Sequence, residues 1–259
     1  MKYKTKLLAD RFTGCLSQWT GVECISLNEA AFEDTLDPYF ALIFDIFYSE
    51  PIPGAEERWK LFGGDVSAFE TSGGENKDRF LIGNIPVRME YKSIYDIEKL
   101  ITLADTKLES LWLVKDSGTY GYYRLAYGEI LYDKSGWIGG VRTRLKNLGD
   151  GFWEQMRFIH ESKMEHSLND LGAALFQGDD YYYLISSALF IKYACLTLFC
   201  INHRFEPSHR AYYRQALELP VLPDSFRAQL ESFLHGGAEA TNERKYALAQ
   251  LIAKGIIVL

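Results

Sequence analysis

YFALIFDIFYSEPIP, residues 39–53, is a run of apolar and aromatic side chains long enough to be a central strand, with one carboxylate, Asp45, in its middle. A buried carboxylate costs several kcal/mol to desolvate unless a partner compensates it, so Asp45 needs either a countercharge or a cation.

Outward from that strand the chain reads as two halves. Between about residues 22 and 133, strand-like segments (VECISL, the 39–48 run, RFLIGNIPVRMEYKS and GEILYD) alternate with turns and short helical stretches such as IYDIEKLITLAD. That pattern predicts an α+β arrangement with a mixed sheet over residues 1–135. From Gly136 onward the periodicity is almost wholly helical, through FWEQMRFIHESKMEHSLNDLGAALF, the 181–203 run, SHRAYYRQALEL, DSFRAQLESFL and NERKYALAQLIAKG. This predicts a helical bundle over 136–259. Asp133, Ser135 and Gly136 mark the junction, and Pro220 and Pro223 break the bundle before Asp224 or Ser225 opens the next helix. There is no internal repeat.

Composition limits the partners. At 259 residues, 47% hydrophobic and 24% charged, the chain belongs to the globular class, and its net charge of -7 argues against a grip on bulk nucleic acid. MKYKTKLLADRF lacks the apolar core of a signal peptide, so a cytoplasmic location is expected. Residues 181–201 are long enough to span a bilayer, but Lys192 at their centre and the aspartates before them favour a buried bundle helix and no membrane. Cys15, Cys24, Cys195 and Cys200 have neither metal nor disulfide spacing and read as buried thiols.

No P-loop, dinucleotide fingerprint or nucleophile elbow is present. His160 and His166, six residues apart, fall about 240° apart on a helix and do not form a metal pair. The informative groups are carboxylates on strands. Alternation along IPVRMEYKS puts Val87, Met89 and Tyr91 on one face and Arg88, Glu90 and Lys92 on the other. If this strand pairs beside 39–48, Glu90 faces Asp45. Two facing carboxylates repel unless a cation lies between them, and hard oxygen donors select Mg²⁺ or Mn²⁺. The alternative is a structural network in which an arginine such as Arg79 or Arg88 neutralises Asp45.

The acidic strand followed by FYSEPIP, then IPVRMEYKS, then YRLAYGEILYDKSGW leading into helices, resembles the nucleotidyltransferase superfamily of DNA polymerase β type. It is similar in particular to small bacterial members of the aminoglycoside and lincosamide kind, whose C-terminal helical domain the segment YYYLISSALFIKYACLTLFCINHRFEPSHRAYYRQALELPVLP resembles. The resemblance implies Mg²⁺-dependent transfer of a nucleoside monophosphate from a nucleoside triphosphate to a small-molecule or protein hydroxyl. It also implies metal ligands at Asp45 and Glu90, the catalytic pair, with triphosphate contacts open to Arg79, Arg88 and Lys92.

Two departures bear on that implication. The positions two away from Asp45 on the same face are Ile43 and Phe47, so the family's Asp-x-Asp pair lacks a member, and CISLNEAAFEDTLDPYF has no Gly-Ser turn. Asp37 is the candidate substitute as a third metal ligand, but eight extended residues separate it from Asp45 by about 26 Å unless the chain turns near Pro38. A variant catalytic site and a degenerate fold that binds a nucleotide or a protein partner without chemistry both stay open. Residues 65–80, bordered by glycines, read as a long hairpin connection or a mobile loop, and His203, Arg204, His209 and Arg210 as a small basic cluster.

Overall fold

The computed structural model describes residues 3–28, 41–114, 116–235 and 241–259. The chain divides into two compact units, 1–103 with 124–147 and 104–123 with 148–259. The class is α+β.

In chain order the elements of the first part are α1 (Tyr3–Leu16), β1 (Val22–Leu27), β2 (Leu42–Tyr48), α2 (Ala55–Phe62), β3 (Val66–Thr71), β4 (Lys77–Ile82), β5 (Ile85–Ser93) and α3 (Ile94–Thr106). A 3₁₀ turn (Leu108–Leu113), α4 (Asp116–Tyr127), β6 (Glu129–Asp133) and α5 (Trp137–Lys146) follow. The six strands form one mixed sheet in the order β3-β4-β5-β2-β1-β6, and β2 with β5 is its parallel pair.

Strand alternation gives the sheet two different faces. Leu42, Phe44 and Ile46 of β2, Phe80 of β4 and Val87, Met89 and Tyr91 of β5 share a buried cluster with Phe12 of α1 and Phe62 of α2. Phe12 sits edge-on to Phe44, Phe62 and Phe80 with centroids 5.9, 5.7 and 5.5 Å away, a favoured aromatic geometry. Asp45, Phe47, Arg88, Glu90 and Lys92 belong to the opposite face. There Trp137 of α5 packs its ring 5.3 Å from that of Phe47 and donates to Glu98 of α3.

Two expectations change here. RFLIGNIPVRMEYKS is not one strand but parts of two, because the backbone turns at Gly83, whose φ of 56° is accessible to glycine without steric cost. The stretch read as a long connection is itself β3 of a β3–β4 hairpin, since Phe69 adds to the apolar face by stacking on Phe80.

The second unit is built around α6 (Asp150–Gln177) and α7 (Asp180–Ile201), with α8 (Tyr212–Ala216), α9 (Phe226–His235) and α10 (Asn242–Ile257). The left-handed Gly178 ends α6, and Asp179 opens α7 by accepting from the Tyr182 N–H. Met164, Leu171, Phe190, Leu198, Phe226, Leu230 and Ile252 form its buried core. The helix expected over SHRAYYRQALEL shrinks to five residues. By length and composition α7 could cross a membrane, yet 56% of its most apolar stretch is buried inside the protein.

Candidate functional site

Four elements converge on the polar face of the sheet. β2 and β5 run parallel with Asp45 directly opposite Glu90, and β1 places Ser26 opposite Asp45 on the other flank. The fourth element is α4, which delivers Arg124 to the same face.

Asp45 is wholly buried, and both its oxygens face nitrogen. Oδ1 lies 2.5 Å from Arg124 Nη2 and 2.6 Å from Lys92 Nζ, while Oδ2 accepts from Asn28 Nδ2 at 3.0 Å. Glu90 Oε2 accepts from Arg124 Nη1 at 2.8 Å and sits 3.6 Å from Lys92 Nζ, and Oε1 is 3.5 Å from Lys77 Nζ. A single guanidinium therefore spans the two carboxylates, using the planar fork that suits arginine to this task.

The electrostatics follow from the geometry. Burial would raise the Glu90 pKa, but Arg124, Lys92 and Lys77 outweigh it and hold the carboxyl down at about 2. Lys92 is lowered, because burial and the neighbouring Arg124 outweigh the attraction of Asp45 and Glu90.

The helix carrying Arg124 is itself anchored. Arg142 of α5 donates from Nε to the Leu125 carbonyl at 3.0 Å and from Nη2 to the Gly128 carbonyl, a cation at the C-terminal end of α4. A Cβ at Gly128 would lie 2.8 Å from the Arg124 carbonyl oxygen, 3.2 Å from Asn28 Oδ1 and 3.3 Å from Ser26 Oγ. Glycine here is what lets α4 turn into β6 directly against the network.

The residues do not fit a Mg²⁺ ion. All four carboxylate oxygens of Asp45 and Glu90 already face a nitrogen, and a dication would have to enter beside three side chains of its own sign, Arg124, Lys92 and Lys77. Among the described residues no group of three or more His, Cys, Asp or Glu side chains could hold a metal ion. Asp37, expected as a further ligand, lies outside the described residues.

Asp45 does sit in a structural network with an arginine, but the cations are Arg124 and Lys92, not Arg79 or Arg88. Arg79 and Arg88 are instead cross-strand neighbours on β4 and β5. Arg79 is exposed and Arg88 half-buried. Lys92, expected near a triphosphate, is a member of the ion network. Sequence reasoning missed Arg124, Asn28 and Arg142, and no local signal marks them, since Arg124 is 79 residues from Asp45 along the chain. The His160 side chain is buried in the second unit, and His203 stacks on Trp153 with centroids 5.3 Å apart.

No protein-family model matches the chain, and no curated protein resembles it in sequence. Its structure is similar to that of a nucleotidyltransferase-like protein from Exiguobacterium sibiricum, with 11% identity and a TM-score of 0.49, covering 98% of this chain and 74% of that one. At that level the likeness bears on neither the site nor an activity.

Proposed function

We propose that this chain is a non-catalytic binding protein on a nucleotidyltransferase-like sheet, in which the Asp45–Glu90 pair serves structure and not metal-assisted transfer. The observation that carries this reading is the Arg124 guanidinium bridging both carboxylates. In a two-metal transferase those oxygens would have to hold the cations that stabilise charge at the phosphorus. Here internal cations take their place, and the other member of the expected acidic pair is absent from β2. The thiols of Cys15, Cys24, Cys195 and Cys200 are free, in keeping with a reducing compartment such as the cytoplasm.

The test is thermal denaturation with each of the four ribonucleoside triphosphates, with and without Mg²⁺, on the wild type and on Asp45→Asn. A ligand of the folded state at ~100 times its Kd stabilises by about 2.7 kcal/mol. The expected result is no Mg²⁺-dependent stabilisation by any nucleotide. A Mg²⁺-dependent shift that disappears in Asp45→Asn would overturn the reading in favour of nucleotidyl transfer through Asp45 and Glu90.

A further inference from the structure

The parallel pair β2–β5 has a second consequence, at its C-terminal end. Tyr48 and Ser93 are register partners and the last residues of their strands. The chain leaves them toward opposite faces. After β2 it runs to α2, whose Phe62 packs with Phe80 on the apolar face, 5.3 Å between centroids. After β5 it enters α3, whose Glu98 binds Trp137 on the polar face. Where connections from adjacent parallel strands diverge in this way, no backbone crosses the gap between them and a crevice is left at the strand ends, the usual place for a ligand.

A cavity of about 490 Å³ occupies that position, lined by Tyr48, Ser93, the loop after β2 and the β3–β4 turn. Its volume falls within the range of small-molecule sites. The backbone around it is held in place: Ser49 N–H donates to the Gly21 carbonyl, and Gly21 has no Cβ to meet the Glu50 carbonyl oxygen 2.5 Å away. Glu75 accepts from the Ala55 N–H at the start of α2.

The chemistry of the lining selects the ligand. Arg58 is the lining residue that carries positive charge, and its donors are already taken. Nε and Nη2 bind Asp78 at 2.8 and 2.9 Å, Nη1 binds the Pro53 carbonyl, and Nη2 also reaches the Glu75 carbonyl. Arg58 Nη1 also lies 3.9 Å from the Glu75 carboxylate, but its single charge is already matched by buried Asp78, so Glu50 and Glu75 together leave the cavity negative. Tyr48 and Tyr95 add aromatic surface, which attracts cations through the ring quadrupole.

We infer that this cavity binds an organic cation, an amine or guanidinium on an apolar or hydroxylated body, with Glu50 and Glu75 compensating the charge and Tyr48 and Tyr95 contacting the body. The inference goes beyond the reading of the Asp45 network and does not depend on it.

Calorimetric titration of the full chain with spermidine, in the absence of nucleotide and Mg²⁺, tests it. One saturable site is expected, weakened by about fivefold in Glu50→Gln and likewise in Tyr95→Ala, the scale of one exposed charge or one cation–π contact. Both side chains are exposed, so both variants fold. Glu231→Gln, an exposed position on α9, serves as the control and should leave binding unchanged. Unsaturable binding, or equal weakening by Glu231→Gln, would mean only general attraction to an acidic chain and would overturn the inference. Binding of inorganic triphosphate that Tyr95→Ala weakens would overturn the assigned ligand charge.

Discussion

Arg124 Nη2 lies 2.5 Å from Asp45 Oδ1 while Nη1 of the same guanidinium lies 2.8 Å from Glu90 Oε2. One side chain from α4 thus closes a network whose acids come from two parallel strands. Removing it leaves a wholly buried aspartate with Lys92 and Asn28 alone to compensate it. Arg124→Met is expected to destabilise the protein by about 3–5 kcal/mol. In Asp45→Asn together with Arg124→Met, part of that loss returns, because the uncompensated charge is gone. Urea denaturation of the four species in a double-mutant cycle measures the difference, and additive losses would contradict the coupling.

The pH dependence of stability has a defined sign at Glu90. Its carboxyl is held at about 2 in the folded protein against an ordinary value of 4.5. Between those values the unfolded chain binds the proton and the folded one does not, so stability rises with pH there. The Glu90 contribution is complete above about pH 5 and is lost as pH falls toward 2. Glu90→Gln is expected to flatten the acid limb of stability measured between pH 5 and 2; an unchanged slope would mean that Glu90 is not held down by its cations.

Gly128 sets the approach of α4 and β6 to the network. Gly128→Ala brings a Cβ to 2.8 Å from the Arg124 carbonyl oxygen, backbone of an element that Arg142 already pins. The expected cost is about 1–3 kcal/mol. Thermal denaturation reads the loss, and Gly139→Ala, inside α5 where a Cβ meets nothing within 4 Å, provides the comparison and is expected to leave stability unchanged or raise it.

The thiols divide by burial. Burial pushes Cys24 and Cys195 up to about 12, with Asp133 adding to the effect at Cys24, and Cys200 is raised by the same cause. Cys15 is half-buried and raised more modestly. Titration with a thiol reagent at pH 8 is expected to modify Cys15 slowly and the other three only after denaturation. Fast reaction of Cys195 in the native protein would show that its helix opens locally.

Much of the architecture was legible because it rests on local periodicity. Alternation in VECISL and IPVRMEYKS and the helical runs after Gly136 each bury one face or stripe whatever their partners are. The facing of Asp45 and Glu90 was legible too, since a parallel register with period two leaves few ways to place two carboxylates on one face. The turn at Gly83 was not, because a glycine inside an apolar run reads equally as a bulge or a turn.

What neutralises Asp45 was beyond local reading. Lys92 is on the right face by alternation, but so is Arg88, and the register puts each two positions from Glu90, so only side-chain packing makes Lys92 the one that reaches Asp45. Arg124 arrives from a helix 79 residues away, aimed by Gly128 and Arg142, and no spacing in the chain encodes that meeting. The amino-acid order was enough for the sheet, the helices and a carboxylate in need of compensation, because these follow from the preferences of neighbouring residues. Whether a metal ion or a guanidinium supplies that compensation was decided by packing, because ion pairing depends on distances of a few ångströms that only the assembled fold establishes.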